Sequence, residues 1–229
     1  MSEKFIRTEK VIGKDGVRKL SESYVAIFGL GGVGGYVLEA LVRSGVGKLD
    51  LFDKDVVSES NINRQIIATM DTIGRAKVDV AKERALSINP DAEINTFNVF
   101  YLPENAADHD LSKYDYVVDA IDTVSAKIAL IENAKKANVR IISSMGAGNK
   151  INPSSFNVCD ISKTNVCPLA KVMRRELKAR GIENVKAVFS TEPAIQSEDS
   201  DDRTIGSLVT VVASCGLLLA NEVIKDLTR

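Results

Sequence analysis

Short runs of apolar and β-branched residues alternate along this chain with longer stretches whose apolar positions recur every three to four residues. The first pattern is that of buried strands and the second that of helices. Strands are expected at Tyr24–Phe28, Lys48–Phe52 and 93–99, with helices over 33–44 and 75–88 between them, so the first half reads βαβαβ. Two further strands, 116–118 and 140–143, enclose a helix over 124–137. Strands that alternate with helices form parallel sheets covered on both faces, and the fold class expected is α/β: a Rossmann-like three-layer fold with a mostly parallel central sheet. Beyond Gly146 the rhythm changes to a strand at Phe156–Asp160, a basic helix after Pro168, a strand at 186–189 and a long helix from Ile205. This C-terminal half reads as an elaboration on the same sheet, within one domain spanning 1–229.

Between 191 and 204 the periodicity disappears into TEPAIQSEDSDDRT, where Glu198, Asp199, Asp201 and Asp202 repel one another. The segment is expected to be a mobile acidic crossover loop, read either as a binding loop or as a plain connector. The apolar stretch 205–220 is shorter than the roughly 20 residues a membrane-spanning helix needs, and Ser207, Thr210 and Ser214 interrupt it; it is expected to be a core helix. The N-terminus has no apolar signal segment. A formal net charge of −1 implies no global electrostatic partner. Cys159, Cys167 and Cys215 form no CxxC pair, which points to a reducing, cytoplasmic setting and away from structural zinc.

Candidate chemistry begins where the first strand runs into Gly29-Leu30-Gly31-Gly32-Val33-Gly34 and a helix follows. In that context GxGxxG is a phosphate-cradling turn: Gly29 permits the tight bend, Gly31 lets backbone N–H groups approach phosphate oxygens, and Gly34 lets the helix pack on the strand. Asp53 ends the second strand 24 residues after Gly29, near the offset at which an acid accepts hydrogen bonds from ribose hydroxyls. These features alone suit NAD as well as ATP. Asn61-Ile62-Asn63-Arg64-Gln65 and Lys77 then supply two cations that a triphosphate needs when pyrophosphate departs. Asp119 and Asp122 follow another apolar strand, and Asp122 is the magnesium candidate, with an N-cap on the next helix as its alternative role.

Other residues are less directive. Cys167 precedes Pro168 and reads as the N-cap of the basic helix, either an activated thiol or a packing residue. His109 lies among acids in a polar loop and is assigned no chemistry. Lys171, Arg174, Arg175, Lys178, Arg180 and Lys186 stand against Glu176 and Glu183, a face that either binds tRNA phosphates or is merely solvated.

The motifs GLGGVG, the Asp53 strand end, SNINRQ, Lys77 and DAID together resemble the ubiquitin-activating superfamily, over the first 150 residues without a gap. FIRTEKVIGKDG, NRQ, INP, CPLAKVMRRELKARGI and VFSTE narrow the resemblance to the tRNA threonylcarbamoyladenosine dehydratases. That resemblance implies a homodimer that uses ATP and magnesium to adenylate the carboxylate of threonylcarbamoyladenosine in tRNA and then closes a ring with loss of AMP. It assigns the phosphates to Gly32 and its loop including Val33, the ribose to Asp53, and the triphosphate to Ser60, Asn61, Asn63, Arg64, Gln65 and Lys77. Magnesium goes to Asp122, and Arg7 is implied to reach into the partner subunit's site. The stretch 191–204 lacks the cysteine that some members of the superfamily carry there, which puts a covalent thioester or persulfide step at that place in doubt.

Two other classes remain open from the residues. An adenylyltransferase for the C-terminal glycine of a ubiquitin-like sulfur-carrier protein would share the nucleotide site and bring a sulfur-transfer or sulfur-carrier partner; the CxxC zinc pairs of many such enzymes are absent. A nucleotide sensor would have no need of Arg64, Lys77 and Asp122, whose use is to stabilise a departing pyrophosphate.

Overall fold

The structure, a computed structural model, describes residues 3–196 and 204–229. The four acids of the expected mobile loop, Glu198, Asp199, Asp201 and Asp202, lie outside the described residues.

Seven strands form one sheet: β1 (Tyr24–Phe28), β2 (Lys48–Phe52), β3 (Glu93–Phe97), β4 (Tyr116–Asp119), β5 (Arg140–Ser144), β6 (Phe156–Asp160) and β7 (Lys186–Ser190). Their spatial order is β3-β2-β1-β4-β5-β7-β6, parallel throughout except for β6, which pairs antiparallel with β7 at one edge. This is the expected α/β architecture. Its register matters for function, because Phe28 pairs with both Phe52 and Asp119, and Asp119 pairs with Ser143. The C-terminal ends of β2, β1, β4 and β5 therefore lie side by side.

Helices α1 (Ile6–Glu22), α2 (Gly34–Ser44), α3 (Lys77–Ile88), α4 (Val124–Lys136), α5 (Pro168–Ala179) and α6 (Val209–Thr228) cover the sheet. Alternation along each strand splits the core in two. Val25 and Ile27 of β1, with Leu49 and Leu51 of β2, join Leu38 of α2, Val80 of α3 and Leu219 of α6 on one face. Ala26 and Phe28 join Leu130 of α4 and Met173 of α5 on the other.

Strand β3 ends at Phe97 rather than at 99, and three helices also differ from expectation. No element was expected before Tyr24, yet α1 occupies Ile6–Glu22 and packs on α6, with a non-helical break at Gly13, whose φ is +75°. The long C-terminal helix begins at Val209 rather than Ile205. Ahead of it, the Gly206 amide donates to Asn149 Oδ1 and the Gly206 carbonyl accepts from the Asn149 amide, so the chain there bonds to a loop instead of to itself. The third helix starts at Lys77 rather than at 75, because Val56 and Ala76 form an antiparallel bridge just before it. As expected of a core helix, α6 buries Val211, Val212, Cys215 and Leu219, and no helix among the described residues is long and apolar enough to cross a membrane.

Candidate active site

A cavity of about 700 Å³ runs across the aligned strand ends. Ligands of open α/β sheets bind at that edge. Its floor begins at Gly29, which has φ +90° and where a side chain would stand 2.7 Å from the Ala120 carbonyl oxygen. The left-handed backbone and the missing Cβ let the turn between β1 and α2 pass directly over the end of β4. At Gly34 a Cβ would lie 1.8 Å from the Gly29 carbonyl oxygen, so this residue closes the turn from behind and does not itself line the cavity. Gly31, Gly32 and Val33 line it, and nothing closer than 3.9 Å would meet a Cβ at Gly31.

Asp53 holds this turn together. One carboxylate oxygen accepts the Leu30 amide at 2.7 Å and the other accepts the Asp55 amide at 2.8 Å. The carboxylate assigned to a ribose thus also pins the glycine loop to the end of β2, with lone pairs left over on the cavity wall.

The segment after β2 carries the polar cluster. Asn61 is buried and accepts the Ser58 amide at 3.2 Å, which fixes the short turn that presents Arg64. The Arg64 guanidinium donates to the Ser60 carbonyl at 2.7 Å and to Asn63 Oδ1 at 2.9 Å. Both acceptors are neutral, so among the described residues its charge is not cancelled. Ser60 and Asn63 do not line the cavity; they orient Arg64, and Asn63 also donates to the Ser207 carbonyl at 3.1 Å. Gln65 is buried on the cavity wall, and its Oε1 has no hydrogen-bond partner among the described residues. An orphaned buried acceptor of this kind is completed by a donor from a ligand or from solvent. Lys77, at the start of α3, is also buried on the wall, with its ammonium 2.9 Å from Asp55.

The two acids after β4 separate. Asp122 is exposed on the cavity wall, and its contact is with the Thr123 hydroxyl at 3.3 Å. It does not cap α4: Thr123 holds the N-cap position, with no side-chain cap bond. Asp119 turns away from the cavity and is fully buried 2.9 Å from Lys127, while accepting the Ser143 hydroxyl at 2.5 Å and the Ile121 amide at 3.2 Å. Lys127 also donates to the Ile121 carbonyl at 3.0 Å. Asp119, read from the sequence as a second carboxylate at the strand end, is thus a structural partner of Lys127, which the sequence reading did not single out, and the pair clamps the loop that carries Asp122. A lysine in a helix gives no sequence signal of burial.

Arg7 is exposed on α1 and is not among the lining residues, so one chain by itself does not bring it to the cavity. Cys167 is the N-cap of α5, is buried, and lines the far wall. Burial pushes the Cys215 thiol up to about 12, and it sits 3.4 Å from Ser144 Oγ in the core as an inert thiol. Burial also raises Cys159, with the Asp160 charge adding to it. His109 packs edge-on to Phe52, and burial lowers its pKa. On the basic helix and its C-cap, Arg174 is spent on the Thr164 carbonyl and Arg175 and Arg180 on Glu176, while Lys186, which lies on β7 instead, pairs with Asp226.

A nucleotide-cradling turn, a strand-end acid and an adjacent cluster of cations define a nucleotide-activating α/β protein. The family model described as the ThiF family matches residues 5–229, and the chain belongs to that family. It is similar to tRNA threonylcarbamoyladenosine dehydratase of Bacillus subtilis (strain 168), 39% identical over 244 aligned residues that span 100% of this chain and 96% of the relative. Its fold is similar to that of Escherichia coli tRNA N6-threonylcarbamoyladenosine dehydratase in complex with ATP, with a TM-score of 0.91 and 33% identity over 98% of this chain and 93% of that one. The same enzyme in complex with AMP matches with a TM-score of 0.91 and covers 98% of this chain.

Proposed function

We propose that this chain is an ATP-dependent cyclodehydratase that converts threonylcarbamoyladenosine in tRNA to its ring-closed form through an acyl adenylate. The observation that carries the chemistry is the single cavity in which the glycine turn, Asp53, Arg64, Gln65, Lys77 and Asp122 meet. The substrate follows from a full-length likeness to dehydratases of that name.

In this reading the turn at Gly31 and Gly32 and the N-terminus of α2 receive the phosphates, and Asp53 the ribose. The substrate carboxylate attacks the α-phosphorus; the new P–O bond forms as the bond to the bridging oxygen breaks and pyrophosphate leaves. Arg64 stabilises the charge that grows on that bridging oxygen, since its guanidinium has only neutral partners to give up. Lys77, held on the wall by Asp55, adds a second ammonium donor there. An amide group of the substrate then closes on the acyl carbon and expels AMP.

The Asp122 carboxylate, exposed and holding only a hydroxyl, is a hard oxygen donor suited to Mg²⁺. Among the described residues no group of three or more His, Cys, Asp or Glu could hold a metal, so the ion would be shared with the nucleotide's own oxygens. Bound there, it would neutralise phosphate charge. Arg7 acts in a second copy of the chain, as part of a cytoplasmic homodimer. The reading is tested by exchange of labelled pyrophosphate into ATP: exchange that requires tRNA bearing threonylcarbamoyladenosine supports it. Exchange only with the C-terminal glycine of a sulfur-carrier protein overturns it.

A further inference from the structure

Beyond the nucleotide cluster, the cavity continues over the end of β5, and there it holds a lysine that no role above uses. Lys150 is 5% exposed and lines the cavity. Its ammonium donates to the backbone carbonyl of Glu192, and among the described residues it has no carboxylate within ion-pair distance. The Glu192 carboxylate is itself taken by the amides of Ile151 and Asn152 at 3.0 and 2.9 Å. A buried ammonium whose one bonded acceptor among the described residues is a neutral carbonyl keeps donors to spare, and it attracts an anion; the nearby Glu192 carboxylate feels its charge but is bonded to two backbone amides. The other lining cations are placed differently. Lys77 has Asp55, Lys54 is exposed over the Phe100 ring, and Arg64 stands at the glycine turn.

The strand order says which anion. Along the aligned ends, Asp53 follows β2, the glycine turn follows β1, Asp122 follows β4, and the loop 146–150 follows β5. Adjacent strands lie about 4.8 Å apart, so a nucleotide spread over β2, β1 and β4 leaves the next position, over β5, to the group that attacks its α-phosphorus. That group must be an ionised carboxylate, and it must approach a triphosphate of the same sign. A fixed cation offsets the repulsion and keeps the nucleophile ionised. The loop is tied down where this is needed: at Gly148 a Cβ would stand 2.2 Å from Ile205, and Asn149 exchanges hydrogen bonds with Gly206 on both its backbone and its side chain.

We propose that Lys150 binds the carboxylate of the acyl substrate and sets its approach to the nucleotide, and is thereby the residue that selects an acid at this end of the cavity. The proposal rests on the adenylation reading above. Its test compares equilibrium binding, with Mg-ATP present, of tRNA bearing threonylcarbamoyladenosine and of the same tRNA carrying the methyl ester. The full-length wild type is set beside Lys150→Gln, Lys150→Met and Lys150→Arg. The wild type is expected to prefer the acid by about ten- to hundred-fold, the range of a charge-assisted hydrogen bond. Lys150→Gln keeps a donor for the Glu192 carbonyl and removes the charge; it and Lys150→Met should bind acid and ester alike, with ATP affinity within about two-fold of wild type, whereas Lys150→Arg regains most of the preference. An acid preference in Lys150→Gln equal to wild type overturns the proposal, as does a loss of affinity that is equal for acid and ester. A wild type that does not bind the modified tRNA at all would instead overturn the assigned substrate.

Discussion

The ion pair beneath the Asp122 loop gives the sharpest structural expectation. Replacing Lys127 with methionine keeps the length and shape of the side chain and deletes its charge, leaving Asp119 fully buried with the Ser143 hydroxyl and the Ile121 amide as its remaining donors. Removing one partner of a buried pair costs about 3–5 kcal/mol, because the other charge is stranded. Two surviving hydrogen bonds place this case at the low end, about 3 kcal/mol. For a chain of this size each kcal/mol moves the midpoint by roughly 2–4 °C, so Lys127→Met should lower the thermal midpoint by about 6–12 °C. Adding Asp119→Asn to Lys127→Met should recover part of that loss, since no charge is then stranded. Calorimetry of the wild type, both single variants and the double variant checks this. A Lys127→Met midpoint within about 2 °C of wild type, or strictly additive losses in the double variant, would refute the reasoning.

Arg64→Ala should lose pyrophosphate exchange far more than ATP binding, whereas Asp53→Ala should weaken ATP binding first, because it also releases the Leu30 and Asp55 amides; titration calorimetry beside exchange kinetics separates them. Gly34→Ala pushes a methyl into the Gly29 carbonyl and should destabilise the fold by about 1–3 kcal/mol while weakening nucleotide binding, measured by denaturation with and without ATP. Asp122→Asn should raise the magnesium concentration needed for half-maximal exchange by about ten-fold or more while leaving the thermal midpoint near wild type, since Asp122 caps nothing. Burial pushes Asp50 upward, but hydrogen bonds from Tyr114, Tyr24, Asn95 and Lys113 outweigh it and hold the carboxyl below its ordinary 3.8. A depressed carboxyl contributes stability that is present above its unfolded pKa and is lost as pH falls through the folded one, so acid should destabilise the wild type below about pH 4. Asp50→Asn should flatten that part of the stability–pH curve.

The strands of the first half were legible because each is a short β-branched run between helical stretches, and Gly29, Gly34 and Asp53 because their spacing is dictated by a turn that must admit phosphate. Helix α1 was not, since Gly13 and Gly16 interrupt its period and Gly13 is in fact a break. The start of α6 was misplaced because Ile205 and Leu208 are apolar, while what keeps them out of the helix is bonding of Gly206 to Asn149 and of Ser207 to Asn63, contacts distant in sequence. Lys127 and Lys150 were invisible for a different reason. Lysine is the residue a sequence reading assigns to the surface, and only the fold shows one of them fully buried against Asp119 and the other lining the cavity. Arg7 marks another limit: one chain places it exposed on α1 and away from the cavity, and the role in a second chain that the resemblance implies is not one that a single chain can locate.

The central claim is tested most directly by incubating the purified chain with Mg-ATP and tRNA bearing threonylcarbamoyladenosine, then following the nucleosides by mass spectrometry alongside the adenine nucleotides. The expected result is conversion of the modified nucleoside to a species lighter by one water molecule, with one AMP and one pyrophosphate formed for each, abolished in Arg64→Ala. An unchanged nucleoside mass under conditions where the chain turns over ATP would contradict it.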